Sequence, residues 1–434
     1  MFTPGLLRSR LSLRQGRKPR NIPRRLPRRP TTHANRPRRA VKPFFGHPAR
    51  RKVAGQLPSN AARYNPAVVL PVLQDVACRP PGFDSGPRSI EAVQVLRISI
   101  TDRCNFRCLY CMPPEGVPWV PHEQILTFEE IRQVVRAAVQ VLGIRRFKLT
   151  GGEPTVRRGV VDLVAMLRDI DGIVDLSLTT NASLLEQLAV PLKQAGLDRI
   201  TVSLDSLRPE RFRRITRSGD LARVLRGLDK AAEAGFRNTK INCVVMRHTN
   251  DDEVVDFARL TLDRDITVRF IEYMPLGDAA ILHASRAVAG DETGPAGGCG
   301  AQDRGAEAFI GEDEFRPRIE AALGPLLPVP RQAEAGVGPA TVYRLARGHP
   351  RGRIGFISAM SAPFCGTCNR LRLTATGLLR SCLFDGGEVD LRPILRDGSA
   401  WPARAIADAM ARCVRLKPDV HSRHGNQQMS RVGG

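Results

Sequence analysis

Apolar and polar positions alternate in six short runs, at residues 93–101, 145–150, 175–180, 199–205, 238–246 and 267–274, with stretches of helical period between them. The alternation predicts strands with two unlike faces. One face is apolar: Leu96, Ile98 and Ile100, then Phe147 and Leu149, Leu176 and Leu178, Ile200, Val202 and Leu204, and finally Ile241, Cys243 and Val245. The other carries Arg97, Ser99 and Thr101 on the first run and Arg146, Lys148 and Thr150 on the second. Ser177, Thr179 and Asn181 follow on the third, Thr201, Ser203 and Asp205 on the fourth, Lys240 and Asn242 on the fifth. The helical pattern is plainest after Thr127, which forms a capping-box pattern with Glu130 ahead of Ile131, Val134, Val135 and Ala138, and which stops at Gly143.

Six β-α units predict the α/β class, with a parallel sheet curled into a partial (β/α)6 barrel of the TIM type. Helices must cover an apolar face, so the polar faces point inward. A simple barrel fills its interior with branched apolar side chains. This interior would be polar and basic, which suits a large polar ligand with anionic groups. The alternative is an open sheet with one wet face.

Directly after the first run come Cys104, Cys108 and Cys111, in the spacing C-x3-C-x2-C. Three thiolates on one loop can hold a 4Fe–4S cluster with one iron left open. A structural zinc wants four closed ligands, and no fourth Cys is near; His122 lies well beyond the loop. Gly151-Gly152-Glu153-Pro154 follows the second run. Further on, Cys365, Cys368 and Cys382 make a C-x2-C-x13-C set, for which zinc with a distant ligand competes with a second cluster. Arg370 and Arg372 alternate beside it, and guanidinium forks suit phosphate oxygens.

Composition changes the picture at one end only. The chain has 434 residues and a formal net charge of +24, but residues 1–63 hold 18 of its Lys and Arg and no acidic residue precedes Asp75. The excess belongs to that Arg- and Pro-rich segment, which cannot bury a core and is expected to be a disordered extension. It reads as an over-long start or as a transit peptide, placing the protein in the cytoplasm or, in the second case, the mitochondrial matrix. Nucleic-acid binding by this tail is the minor alternative. No 18-residue apolar run predicts a membrane span. Ten cysteines, six of them in two tight sets, point to a reducing compartment and not to a disulfide framework.

The C-x3-C-x2-C loop with Tyr110 before its last Cys resembles the signature of the radical S-adenosylmethionine enzymes. The run Leu96 to Cys108, the stretch Cys365 to Leu373 followed by Cys382, and the terminal Met429-Ser430-Arg431-Val432-Gly433-Gly434 resemble the GTP 3′,8-cyclases more closely. That resemblance implies two 4Fe–4S clusters, one on Cys104, Cys108 and Cys111 and one on Cys365, Cys368 and Cys382. It implies S-adenosylmethionine contacts at Tyr110, Gly152, Ser203 and Met274, and a GTP site at Arg97, Lys148, Thr179, Lys240, Asn369, Arg370 and Arg372. Arg97, Gly433 and Gly434 would serve catalysis directly. It further implies an electron donor, a downstream cyclic pyranopterin synthase as consumer of the product, and leaves a homodimer open. Lys148 stands where the family usually has Arg, and Ala182 where it often has Gly. A radical enzyme that modifies a peptide is the rival within the same superfamily. The expected layout is an extension at 1–63, a barrel at 93–275, an insertion or linker at 276–340 and a second-cluster domain at 341–434.

Overall fold

The computed structural model describes residues 86–276, 308–333, 336–399, 401–422 and 429. The N-terminal extension and most of the 279–311 insertion lie outside the described residues. All six expected strands are present: β1 (Val95–Ser99), β2 (Arg146–Thr150), β3 (Asp175–Thr180), β4 (Arg199–Ser203), β5 (Thr239–Val245) and β6 (Ile266–Glu272). Six shorter strands follow: β7 (Leu326–Pro328), β8 (Thr341–Leu345), β9 (Arg353–Ile357), β10 (Arg370–Leu373), β11 (Leu378–Arg380) and β12 (Glu388–Asp390).

All twelve belong to one sheet, ordered β12-β11-β10-β1-β2-β3-β4-β5-β6-β9-β8-β7. β10 pairs parallel with β1, and β9 parallel with β6, so two late strands extend the parallel array on its two sides. The outer pairs are antiparallel.

β9 and β10 are consecutive in the chain yet sit at opposite edges of eight parallel strands. Only residues 358–369 connect them, a segment whose full reach is about 40 Å. Crossing seven flat inter-strand gaps would take about 34 Å. The connection would be almost taut across a flat sheet, although it also contains a short helical turn. One cavity touches β1, β6, β9 and β10 together. The sheet is therefore curled into a partial barrel, and the loop with Cys365 and Cys368 spans its open side.

Helices α1 (Phe128–Leu142), α2 (Val160–Arg168), α3 (Leu185–Gln194), α4 (Pro209–Thr216), α5 (Leu221–Glu233) and α6 (Val254–Asp263) separate the six strands. α1 starts as its sequence predicts. Thr127 Oγ1 accepts from Glu130 N, and Glu130 Oε2 accepts from Thr127 N. Gly143 closes the helix in the left-handed region at φ 66°. Leu96, Ile98, Phe147, Leu149, Leu176 and Leu178 are fully buried beneath these helices. Each such side chain contributes roughly 1.5–3 kcal/mol of burial, and Phe147→Ala would cost about 3–5 kcal/mol. Later come α7 (Glu312–Leu323), α8 (Arg392–Leu395) and α9 (Ala403–Arg415), the last packed on α1, with Ile406, Ala409 and Met410 buried in the common core.

Candidate active site

The loop after β1 is held from two directions. Asn105 donates to Ser183 Oγ and accepts from Asn181 Nδ2, each at 2.8 Å, which ties it to the end of β3. From the other side, Arg107 N donates to Thr216 O at 3.0 Å and Leu109 N to Ile215 O at 2.9 Å, at the end of α4. The next residue, Arg217, takes φ 62° and reaches back to the carbonyls of Arg107 and Met112. Cys104, Cys108 and Cys111 are half-buried on this loop and none is in a disulfide. Burial pushes the Cys104 thiol up to about 11, and raises Cys108 well above the ordinary range, with Cys111 and Asp205 adding to it. Three soft donors on one braced loop fit a 4Fe–4S cluster.

The Gly151-Gly152 turn is laid directly on that loop. A Cβ at Gly151 would stand 2.7 Å from Thr101 O, and one at Gly152 would stand 2.4 Å from Arg103 O. Neither glycine has a positive φ; close backbone approach is what excludes a side chain. Gly152 N donates to Thr101 O and Glu153 N to Arg103 O, both at 2.8 Å. The Glu153 carboxylate is buried and used up locally. It accepts from Thr155 N, Thr155 Oγ1, Thr180 Oγ1 and Asn181 N, joining the turn to β3.

Inside the barrel, strand register lines up the cations. Arg372, Arg97 and Lys148 are successive partners across β10, β1 and β2. Arg269 on β6 and Lys240 on β5 extend the belt. Arg97 is lowered well below its ordinary value by burial and then by Arg372, Arg370 and Arg269. Lys148 is lowered by burial, then by Arg269, Arg97 and Lys240. Burial, with Arg199 and Arg370, brings Arg269 to about 10; burial, with Arg370, brings Arg372 to about 9. Cations that repel one another in this way favour an anionic ligand.

One cavity joins this belt to both ends of the site. Counting its open mouth it encloses about 1280 Å³. Arg97, Lys148, Thr179, Arg370 and Arg372 line it, together with Tyr110, Ser203 and Met274 towards the first cysteine loop. Thr179 Oγ1, Asn242 Oδ1 and Arg269 Nε are buried here without a hydrogen-bond partner among the described residues. Polar atoms left so at a cavity wall fit a polar ligand. Tyr110 Oη donates to Asp205 Oδ2 at 2.8 Å while Val244 N donates to Oδ1, and burial holds Asp205 up at about 6. A second cavity lies beneath, sharing Arg97, Lys148, Arg269 and Arg370 and adding Lys240 and Arg199.

Cys365, Cys368 and Cys382 line the main cavity. Cys365 and Cys368 belong to the crossing loop, and Cys382 follows β11. Burial disfavours the Cys368 thiolate, but Arg370 and Lys417 outweigh it and bring the thiol down to about 7. Arg370 lies over the Phe364 ring at 4.8 Å, and His421 stacks on Phe384 at 4.1 Å beside the same cysteines.

Most residues singled out in the sequence thus meet around one space. Cys104, Cys108 and Cys111 do not line it, their loop reaching it through Tyr110, and Lys240 lines the second cavity; two others stand further apart. Gly152 acts through the backbone of the cysteine loop, and Asn369 turns its side chain to Gln94, with Nδ2 3.1 Å from Oε1. Gly433 and Gly434 lie outside the described residues. Arg269, Arg199, Lys417 and His421 were not foreseen. The first two were within reach of strand alternation, since Arg269 has the parity of Thr267 and Arg199 that of Thr201. Lys417 and His421 follow α9 with no local signal.

A family model described as the Radical SAM superfamily matches residues 98–261, and one described as Molybdenum Cofactor Synthesis C matches residues 292–423. The GTP 3′,8-cyclase of Pelotomaculum thermopropionicum is 46% identical over 346 residues, covering 79% of this chain and 98% of that one. That of Moorella thermoacetica is 45% identical over 346 residues with the same coverage. That of Pseudomonas entomophila is 45% identical over 332 residues, covering 76% of this chain and 90% of that one.

Proposed function

The chain belongs to the GTP 3′,8-cyclase family, and from that premise we propose that its two cysteine triads hold two 4Fe–4S clusters facing a common basic lumen in which GTP lies. It is a radical S-adenosylmethionine lyase that acts at the first step of molybdenum cofactor biosynthesis. The single observation that carries the two-cluster reading is the lining of the main cavity. Cys365, Cys368 and Cys382 share it with Arg97, Arg370 and Arg372 and with Tyr110, Ser203 and Met274.

Cys104, Cys108 and Cys111 would hold the first cluster, which would supply one-electron reduction of S-adenosylmethionine there. The remaining work falls to the chain. Tyr110, Ser203, Met274 and the Gly152 backbone hold the cofactor at the barrel mouth. Arg97, Lys148, Thr179, Lys240, Arg370 and Arg372 take the triphosphate into the belt, joined by Arg269. The guanine end is left facing the second triad. Asn369 acts indirectly, fixing the start of β10 against Gln94. A one-electron donor outside the chain must feed the first triad, and a cyclic pyranopterin synthase must consume the product.

The test is anaerobic turnover with GTP, S-adenosylmethionine and a chemical reductant. The parent protein should yield cyclic dihydro-GTP. Cys104→Ala should abolish cofactor cleavage, whereas Cys365→Ala should leave some uncoupled cleavage and no cyclised product. Equal loss of cleavage from both, in folded protein, would contradict separate roles for the triads.

A further inference from the structure

α9 ends at Arg415, and two residues later the chain buries a lysine: Lys417 is 3% exposed. Its Nζ donates to the carbonyl oxygen of Cys368 at 2.9 Å. Its own backbone is pinned on both sides, with N donating to Val414 O and O accepting from Arg88 Nε. α9 in turn is docked on the turn after Cys382. Cys413 Sγ lies 3.0 Å from Gly387 O, and Gly387, at φ 84°, has space for no side chain because a Cβ would stand 2.9 Å from Leu416 Cβ. The ammonium is thus fixed between the two segments that carry the second triad.

Among the described residues Lys417 makes no ion pair with a carboxylate. A buried ammonium without an anion is costly. Two other cations, Arg370 and Arg372, approach the same cysteines from β10, and the groups that favour the charged ammonium are the sulfurs of Cys368 and Cys382. Three thiolates on an iron–sulfur core carry a net negative charge that grows on reduction. That is the compensating anion. We propose that Lys417 is a positioning residue for the second triad, which tethers the Cys368 backbone and places a fixed positive charge that favours the reduced form of the cluster bound there. The assignment rests on the two-cluster reading. Net charge and nearby hydrogen bonds are among the factors that set cluster potentials.

The experiment is an anaerobic redox titration of the holoenzyme followed by electron paramagnetic resonance, comparing parent, Lys417→Arg, Lys417→Met and Lys417→Gln. Both neutral variants should move the second centre's midpoint to lower potential and leave the first unmoved, while Lys417→Arg should restore the parent value. Where Lys417→Met fails to retain the second cluster, Lys417→Gln, which keeps a donor but not the charge, carries the comparison. Unchanged midpoints in neutral variants that hold both clusters would overturn the assignment alone. Iron confined to the first triad in the parent would overturn the two-cluster reading and the assignment with it.

Discussion

Arg97 and Arg372 are register partners on adjacent parallel strands, Arg372 buried and Arg97 half-buried, with Lys148 the next partner along. Like charges placed side by side in a sheet are destabilising, and an anion on the inner face would offset that. Arg97→Ala and Arg372→Ala should each weaken GTP binding by about 1.5–3 kcal/mol, the range of a charge-assisted contact. Calorimetric titration checks this. Guanosine binding as tightly as GTP would show that the belt does not read phosphate.

Gly152 faces Arg103 O and Asp102 O so closely that an added Cβ would stand 2.4 and 2.8 Å from them. Backbone atoms cannot swing aside as a flexible side chain would. Gly152→Ala should therefore displace the first cysteine loop and lower iron at that triad, while iron at Cys365, Cys368 and Cys382 persists. Iron analysis with site-resolved spectroscopy checks it.

Glu153 illustrates the opposite case, a motif residue whose side chain is occupied by structure. Its carboxylate gathers Thr155, Thr180 and Asn181 in a buried setting. Glu153→Ala would strand those donors, at about 1–3 kcal/mol for each one left without a partner. The expected result is a lowered melting temperature and a loosened first loop. A variant as stable as the parent would refute this account of the residue.

How much of this was legible beforehand follows from what each signal depends on. Strand faces were readable because a one-residue slip would expose every apolar side chain; alternation put Arg97, Lys148, Thr179 and Ser203 on the inner face, and the family resemblance singled them out there. The capping box of α1 is local and was equally plain. Pairing of β10 with β1 joins residues far apart in the chain, and nothing in either strand announces the other. Lys417 gains its meaning only from the Cys368 carbonyl that tertiary packing brings to it. Asn369 sits within a recognisable motif, yet its side chain serves the strand junction.

The terminal Gly433 and Gly434 are read as a tail that enters the site and orients the substrate, a task suited to residues without side chains. Removing both should leave iron content and GTP binding near the parent's while cyclisation is lost. Deleting residues 1–63 is the control and should leave turnover intact. Parent-like product formation by the tail-truncated protein would end this reading.

The central claim, two clusters on two triads around one lumen, is tested most directly by iron and sulfide per chain after anaerobic reconstitution. The comparison sets the parent beside a Cys104/Cys108/Cys111→Ala variant and a Cys365/Cys368/Cys382→Ala variant. The account predicts about eight irons in the parent and about four in each variant, with cofactor cleavage surviving only where the first triad is intact. About four irons in the parent, or zinc at the second triad, would contradict it.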